Sequence, residues 1–155
     1  MIAENCREFQ SLLAPKKALL GFDFGTKRLG VAVSDPMRTI ATPVKIIQRE
    51  SFAKDLAEIR RLVADREIGG IVYGLPLKMN GQEGDTATLV RAFAQKLDDH
   101  INLPYTFWDE RLSSSAVESF LINNADMSRN KRKQVLDASA AAYILQGFLD
   151  SLKYL

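Results

Sequence analysis

Three acidic residues stand where acids are costly or unexpected. Asp23 interrupts the apolar run Ala18-Leu-Leu-Gly-Phe-Asp-Phe24, Glu110 follows Tyr105-Thr-Phe-Trp-Asp109, and Asp137 borders the small-residue run Ala138-Ser-Ala-Ala-Ala142. A carboxylate in such a setting is expensive unless it reaches solvent or a cation. The chain has one histidine, His100, and one cysteine, Cys6. That excludes a multi-histidine metal centre, a cysteine zinc site and an intramolecular disulfide. Oxygen donors alone suit hard divalent cations, Mg2+ or Mn2+. Two such ions about 4 Å apart activate a water and neutralise a leaving phosphate oxygen. Asp23, Glu110 and Asp137 as joint ligands therefore point to metal-assisted phosphodiester hydrolysis, a hydrolase reaction on ester bonds.

Each acid also has a plainer reading, and only their convergence favours the catalytic one. An Asp at a strand end commonly starts a turn, as Asp35 in Ser34-Asp-Pro36 is expected to do. Asp109 alternates to the face opposite Glu110 and reads as the partner of a basic neighbour. Asp137 could pair with Lys133 one helical turn earlier. Among the basic residues, Lys27 and Arg28 follow Asp23 closely and are either solvated turn residues or phosphate contacts. Arg129, Lys131, Arg132 and Lys133 place four positive charges in five residues at a helix start. The helix dipole opposes them there, a cost that a bound polyanion offsets. No aromatics interleave these runs, so no stacking platform for unpaired bases is expected. His100 reads as a surface residue at a helix end and Trp108 as core. The stretch Gly74–Gly84, with its Asn80-Gly81 turn, is a long, flexible loop, either an ordinary connection or a lid beside the crevice.

The elements that must position these groups follow from hydrophobic period. At 155 residues, 46% apolar and 26% charged, the chain suits one globular domain, and its net charge of +2 leaves any nucleic-acid surface local. Ala18–Phe24 and Leu29–Ser34 are strands joined by too short a turn for a crossover, hence antiparallel. A third strand is expected around Pro43–Ile47. Phe52, Leu56, Ile59 and Val63 recur at helical spacing over about 51–66, with Lys54, Asp55, Arg60 and Arg61 between them. Gly69-Gly70 should stop that helix before a strand at Ile71–Leu75. A helix around Leu89–Leu97, a strand at Tyr105–Glu110, a helix capped by Ser115-x-x-Glu118 and a last helix over about 130–152 complete the order. That last helix carries the stripe Ala138, Ala141, Ala142, Leu145, Leu149 and Leu152.

A three-strand meander followed by right-handed parallel crossovers makes a five-stranded mixed sheet flanked by helices on both faces, the ribonuclease H-like α/β arrangement. Asp23 and Glu110 then lie near carboxyl-terminal strand tips, where open α/β sheets place their crevice. Residues 1–17 are expected as an arm or short helix outside the main fold, with the domain over 18–155. No signal-peptide pattern is present, and the longest charge-free stretch, Ala138–Leu149, has twelve residues, short of the roughly 20 of a spanning helix. A soluble cytoplasmic protein with no membrane partner is expected.

Four ordered motifs carry a family resemblance: Gly21-Phe-Asp-Phe-Gly-Thr-Lys-Arg-Leu-Gly-Val-Ala-Val-Ser-Asp35; Gly74-Leu-Pro-Leu with Asn80-Gly81; Asp109-Glu-Arg-Leu112; and Lys131-Arg-Lys with Asp137-x-x-Ala-Ala. From about Ala18 to Leu152 the chain resembles the YqgF (RuvX) family, whose members are described as Holliday junction resolvases and as pre-16S ribosomal RNA nucleases. Phe22 stands where the family usually has an aliphatic residue, and Ser113-Ser114 where it commonly has threonines. The resemblance implies a ribonuclease H-like fold and a divalent-metal site, with Asp23, Glu110 and Asp137 as catalytic acids and Lys27 and Arg28 on phosphate. The expected function is a metal-dependent endonuclease on structured nucleic acid, with 5′-end maturation of pre-16S rRNA ahead of junction resolution on branched DNA. Arg129, Lys131 and Arg132 would hold its phosphate backbone, and the protein would work as a monomer or homodimer. A non-cleaving nucleic-acid-binding assembly factor is the alternative. A nucleotide-binding fragment akin to actin-like ATPases ranks last, since those need two such domains.

Overall fold

The chain is seen in a computed structural model that describes residues 1–112 and 129–152, with side chains through residue 111 and from residue 140. The first strands are β1 (Ala18–Phe24), β2 (Arg28–Ser34) and β3 (Ala41–Gln48). They pair antiparallel in sequence order, with Asp23 opposite Gly30 and Leu29 opposite Ile47. After helix α2 (Phe52–Asp65), strand β4 (Ile68–Leu75) lies parallel to β1. After α3 (Asp85–Asp98), strand β5 (Tyr105–Asp109) lies parallel to β4. The sheet order is β3-β2-β1-β4-β5, the expected meander-then-crossover topology. A 3-10 turn, Glu110–Leu112, follows β5, and the last described helix is α4 (Arg129–Ser151). The helix expected from Ser115 lies outside the described residues.

Both faces of the sheet are covered. Leu20, Phe22, Leu29, Tyr73 and Phe93 belong to the core that packs under α2 and α3. On the other face Leu19, Ala32 and Val72 meet Ala141, Leu145, Phe148 and Leu149 of α4. Alternation along β1 divides its side chains between these two cores. Leu145 of α4 packs directly over Gly21. Among the described residues no helix is long and apolar enough to cross a membrane.

Two expectations are corrected. The N-terminal segment does not stand outside the fold. Its helix α1 (Cys6–Leu12), capped by Asn5, buries Phe9 completely, and Phe9 meets the edge of the Phe148 ring at 5.5 Å. Ahead of that helix, Ala3 N–H donates to the Tyr105 carbonyl and Tyr105 N–H to the Met1 carbonyl, which extends the sheet beyond β5. The second correction concerns Gly69-Gly70, which belong to β4 and do not stop α2. Glu67, in the left-handed region at φ 50°, makes that turn. Gly70 is needed inside the strand because Leu13, Phe9 and Leu19 fill the space of its absent side chain, within 3.1 Å of where a Cβ would stand. One cause underlies both differences: the glycine is the seat of the N-terminal segment.

Phe9→Ala should therefore cost about 3–5 kcal/mol of stability, as for a core aromatic. Urea unfolding of the two proteins measures this, and a change within about 0.5 kcal/mol, the surface value, would return the segment to the role of a loose arm.

Candidate active site

Asp23 is the sixth residue of β1 and half-buried. Its pairing with Gly30 puts no side chain beside it on β2. It shares the α4 face with Leu19 and Gly21, since alternate residues of a strand point the same way. Glu110 comes one residue after β5 ends, in the 3-10 turn rather than in the strand itself. It reaches back over β4, where a Cβ on Gly74 would stand 2.6 Å from its Oε1 and 2.6 Å from Ile144 Cδ1 of α4. Gly74 thus clears the floor on which the Glu110 carboxylate rests.

The two acids meet. Glu110 titrates at about 7, raised first by burial, then by the negative charge of Asp23, a side-chain hydrogen bond with Asp23, and the charge of Asp109. Below about pH 7 the protonated Glu110 carboxyl donates to Asp23; two ionised carboxylates brought together in this way repel. Asp109 behaves differently. It points to the other face and forms a fork with Arg111 (Nη2–Oδ2 2.6 Å), which holds its carboxyl below the usual range. That is the basic partner expected for it.

Lys27 is exposed in the turn after β1 and Arg28 opens β2. With Asp23, Phe24, Gly25, Thr26 and Gly30 they line an open depression of about 280 Å³. This depression connects the acid to the basic turn. Asp137, Arg129, Lys131 and Arg132 all lie on α4, but their side chains are outside those described. Asp35 starts its turn as expected, accepting from the backbone N–H groups of Thr39 (2.7 Å) and Ile40 (2.9 Å). His100 is exposed just past α3, and Trp108 packs edge-on to Phe148 at 6.1 Å.

Two features escape a reading of the sequence. The loop after β4, expected to be flexible, is a hydrogen-bonded hairpin: Leu77 pairs with Glu83, and Lys78 N–H donates to the Gln82 carbonyl at 2.8 Å. Arg111 ties it down, donating to the carbonyls of Lys78 (3.3 Å) and Met79 (3.4 Å) while holding Asp109. The Asp-x-Arg spacing at a strand end was the available signal. The second is Asp55, expected on the polar side of α2 but only 2% exposed and paired with Arg49. Its spacing from Phe52 and Ile59, three and four residues, puts it on the buried stripe.

An all-oxygen pair whose members resist joint ionisation is a fitting seat for a divalent cation, which would relieve the repulsion. The raised Glu110 value has a consequence for the metal-free protein. The folded state keeps a proton that the unfolded chain has already lost, so stability should fall as pH rises from about 4.5 to about 7 and then level off. Melting temperatures of the metal-free protein across this range check it. Glu110→Gln should flatten the decline, and an identical decline in the variant would remove the assignment.

Sequence and structure comparisons extend this picture. The RuvX family, described as Holliday junction resolvase, matches residues 17–151. A Rhodobacter capsulatus relative with the name "Putative pre-16S rRNA nuclease" is 49% identical over 155 residues, covering 100% of this chain and 97% of its own. A Ruegeria pomeroyi relative of the same name is 49% identical with 100% of both chains covered. Among solved structures, Thermus thermophilus RuvC in complex with a Holliday junction superposes with a TM-score of 0.54 at 12% identity, over 88% of this chain and 96% of its own. The fowlpox virus resolvase with junction DNA gives 0.54 at 10%, over 87% and 98%. These structural likenesses show the ribonuclease H-like fold alone, and the sequence match establishes membership: the chain belongs to the RuvX family.

Proposed function

We propose that this chain is a divalent-cation-dependent endonuclease that hydrolyses phosphodiester bonds in structured nucleic acid, with 5′-end maturation of pre-16S rRNA in the cytoplasm as its task. The observation that carries this is the meeting of Asp23 and Glu110 at the carboxyl-terminal ends of the sheet strands, in a member of a nuclease family. The full-length relatives named for pre-16S rRNA favour that substrate over branched DNA.

Asp23, Glu110 and Asp137 would hold Mg2+ or Mn2+, as one ion or two. Asp137 occupies α4 one helical turn before Ala141, whose carbonyl lies over Gly21, two residues ahead of Asp23. When bound there, such cations would supply activation of the attacking water and charge neutralisation at the leaving oxygen. Glu110 must give up its proton before it can serve as a ligand, so cation binding is linked to proton release. Lys27 and Arg28 would hold phosphate oxygens at the depression beside Asp23. Arg129, Lys131 and Arg132 would bind the backbone further along, through charge alone.

Asp23→Asn should abolish Mg2+- or Mn2+-dependent cleavage of a precursor 16S rRNA fragment, leaving the circular dichroism spectrum of the folded protein intact. Undiminished cleavage by the folded variant would refute the assignment, and preferential cutting of a four-way DNA junction would reassign the substrate. Replacing Lys131 and Arg132 with Gln should weaken RNA binding and flatten the slope of log affinity against log salt by roughly 1–2. An unchanged slope would place the backbone elsewhere.

A further inference from the structure

The turn that would receive phosphate is held from behind by a group that the proposed chemistry does not use. Arg49 follows β3 and lies on the face of the sheet opposite Asp23. Its guanidinium stacks 4.7 Å from the Phe24 ring centroid and 5.2 Å from that of Phe93. From there Nη1 donates to the carbonyls of Gly25 (3.1 Å) and Thr26 (3.4 Å), and the Arg49 backbone N–H donates to the Lys27 carbonyl (2.9 Å). Three successive carbonyls of the turn thus point to one residue. Nε of Arg49 in turn contacts Oδ2 of the buried Asp55 at 3.3 Å.

Peptide planarity gives this arrangement its consequence. The structure holds no cis peptide among the described residues, and in a trans peptide the carbonyl and the following N–H point in opposite directions. Drawing the Gly25 and Thr26 carbonyls toward Arg49 therefore aims the N–H groups of Thr26 and Lys27 away from it, to the side on which Asp23 stands. Neither N–H has a hydrogen-bond partner among the described residues. Adjacent outward N–H groups in a turn form a concave anion seat, to which the Lys27 ammonium adds charge.

We infer that Arg49, anchored by Asp55, is a positioning residue that orients the Gly25–Lys27 turn so that its amides receive a backbone phosphate of the nucleic acid. This rests on the nuclease reading for the identity of the ligand. Arg49 touches neither the acids nor the phosphate. It acts through the direction of two peptide planes. Lysine cannot replace it, because one ammonium cannot stack on two rings, pair with Asp55 and hold two carbonyls at once.

The test uses the full chain, a precursor 16S rRNA fragment and two readouts: fluorescence anisotropy without divalent metal, and steady-state cleavage with Mg2+. Arg49→Lys is expected to weaken metal-free binding and raise KM about tenfold, with kcat within about twofold, in a protein that keeps the circular dichroism spectrum of the folded wild type. Arg49→Met with Asp55→Asn is the second variant, which leaves no buried charge unpaired, and should give the same split. In 15N-labelled protein, the Thr26 and Lys27 amide resonances should shift on titration with the RNA in wild type and much less in either variant. Wild-type affinity and KM in a folded variant would overturn the inference while leaving the nuclease reading standing. Normal binding without cleavage by wild type would overturn the nuclease reading alone, and absence of binding by wild type would overturn both.

Discussion

Two carboxylates brought together at one rim of a mixed sheet repel each other, and without a cation one of them keeps a proton up to about pH 7. Glu110 holds it. Its desolvation over β4 and the charge of Asp23 move its titration to about 7, near neutral pH. Everything distinctive about this rim follows from keeping the two acids close despite that cost. Gly74 removes the side chain that would push Glu110 away, and Gly30 leaves the flank of Asp23 open. The 3-10 turn at Glu110–Leu112 begins as β5 ends, and from it the Glu110 side chain reaches over Gly74. Such a pair is poor at stabilising a fold and well suited to a cation.

The sheet topology supplies the convergence. β1 and β4 are parallel neighbours, as are β4 and β5, so their carboxyl ends lie at one edge although Asp23 and Glu110 are far apart in sequence. The antiparallel turn after β1 returns to that same edge, which is why the basic residues 27 and 28 lie beside the acid. Around this edge two arginines do structural work on loops. Arg49 holds the first turn from the α2–α3 side, and Arg111 holds the hairpin after β4 while neutralising Asp109. Arginine suits both places because its planar fork reaches several acceptors without leaving its own partner.

Much of this was legible in the chain itself. The short turn between β1 and β2 forced an antiparallel pair, the change from period 2 to helical period marked the crossovers, and an acid inside an apolar strand marked the site. What escaped was mostly a matter of partners distant in sequence. The apolar residues of the N-terminal helix gave no hint that Gly70 would be their seat, because that contact depends on how α1 crosses β4. Asp55 looked like surface until Arg49 was seen beside it. Both residues carry charge, and charge alone reads as solvated. The hairpin after β4 looked like a plain loop because its tether, Arg111, comes some thirty residues later in sequence. Local pattern identified elements and the lone misplaced acid; pairings between charged side chains across the fold needed the coordinates.

The central claim is that Asp23 and Glu110 form one site in which a proton and a divalent cation compete. Titration calorimetry of Mn2+ into the metal-free protein at pH 6, in two buffers of different ionisation enthalpy, measures that competition directly. Close to one proton should leave per protein as the ion binds, falling toward zero by about pH 8, and Glu110→Gln should release none. Tight binding with no proton released at pH 6, or a release that survives in the Glu110→Gln variant, would contradict it.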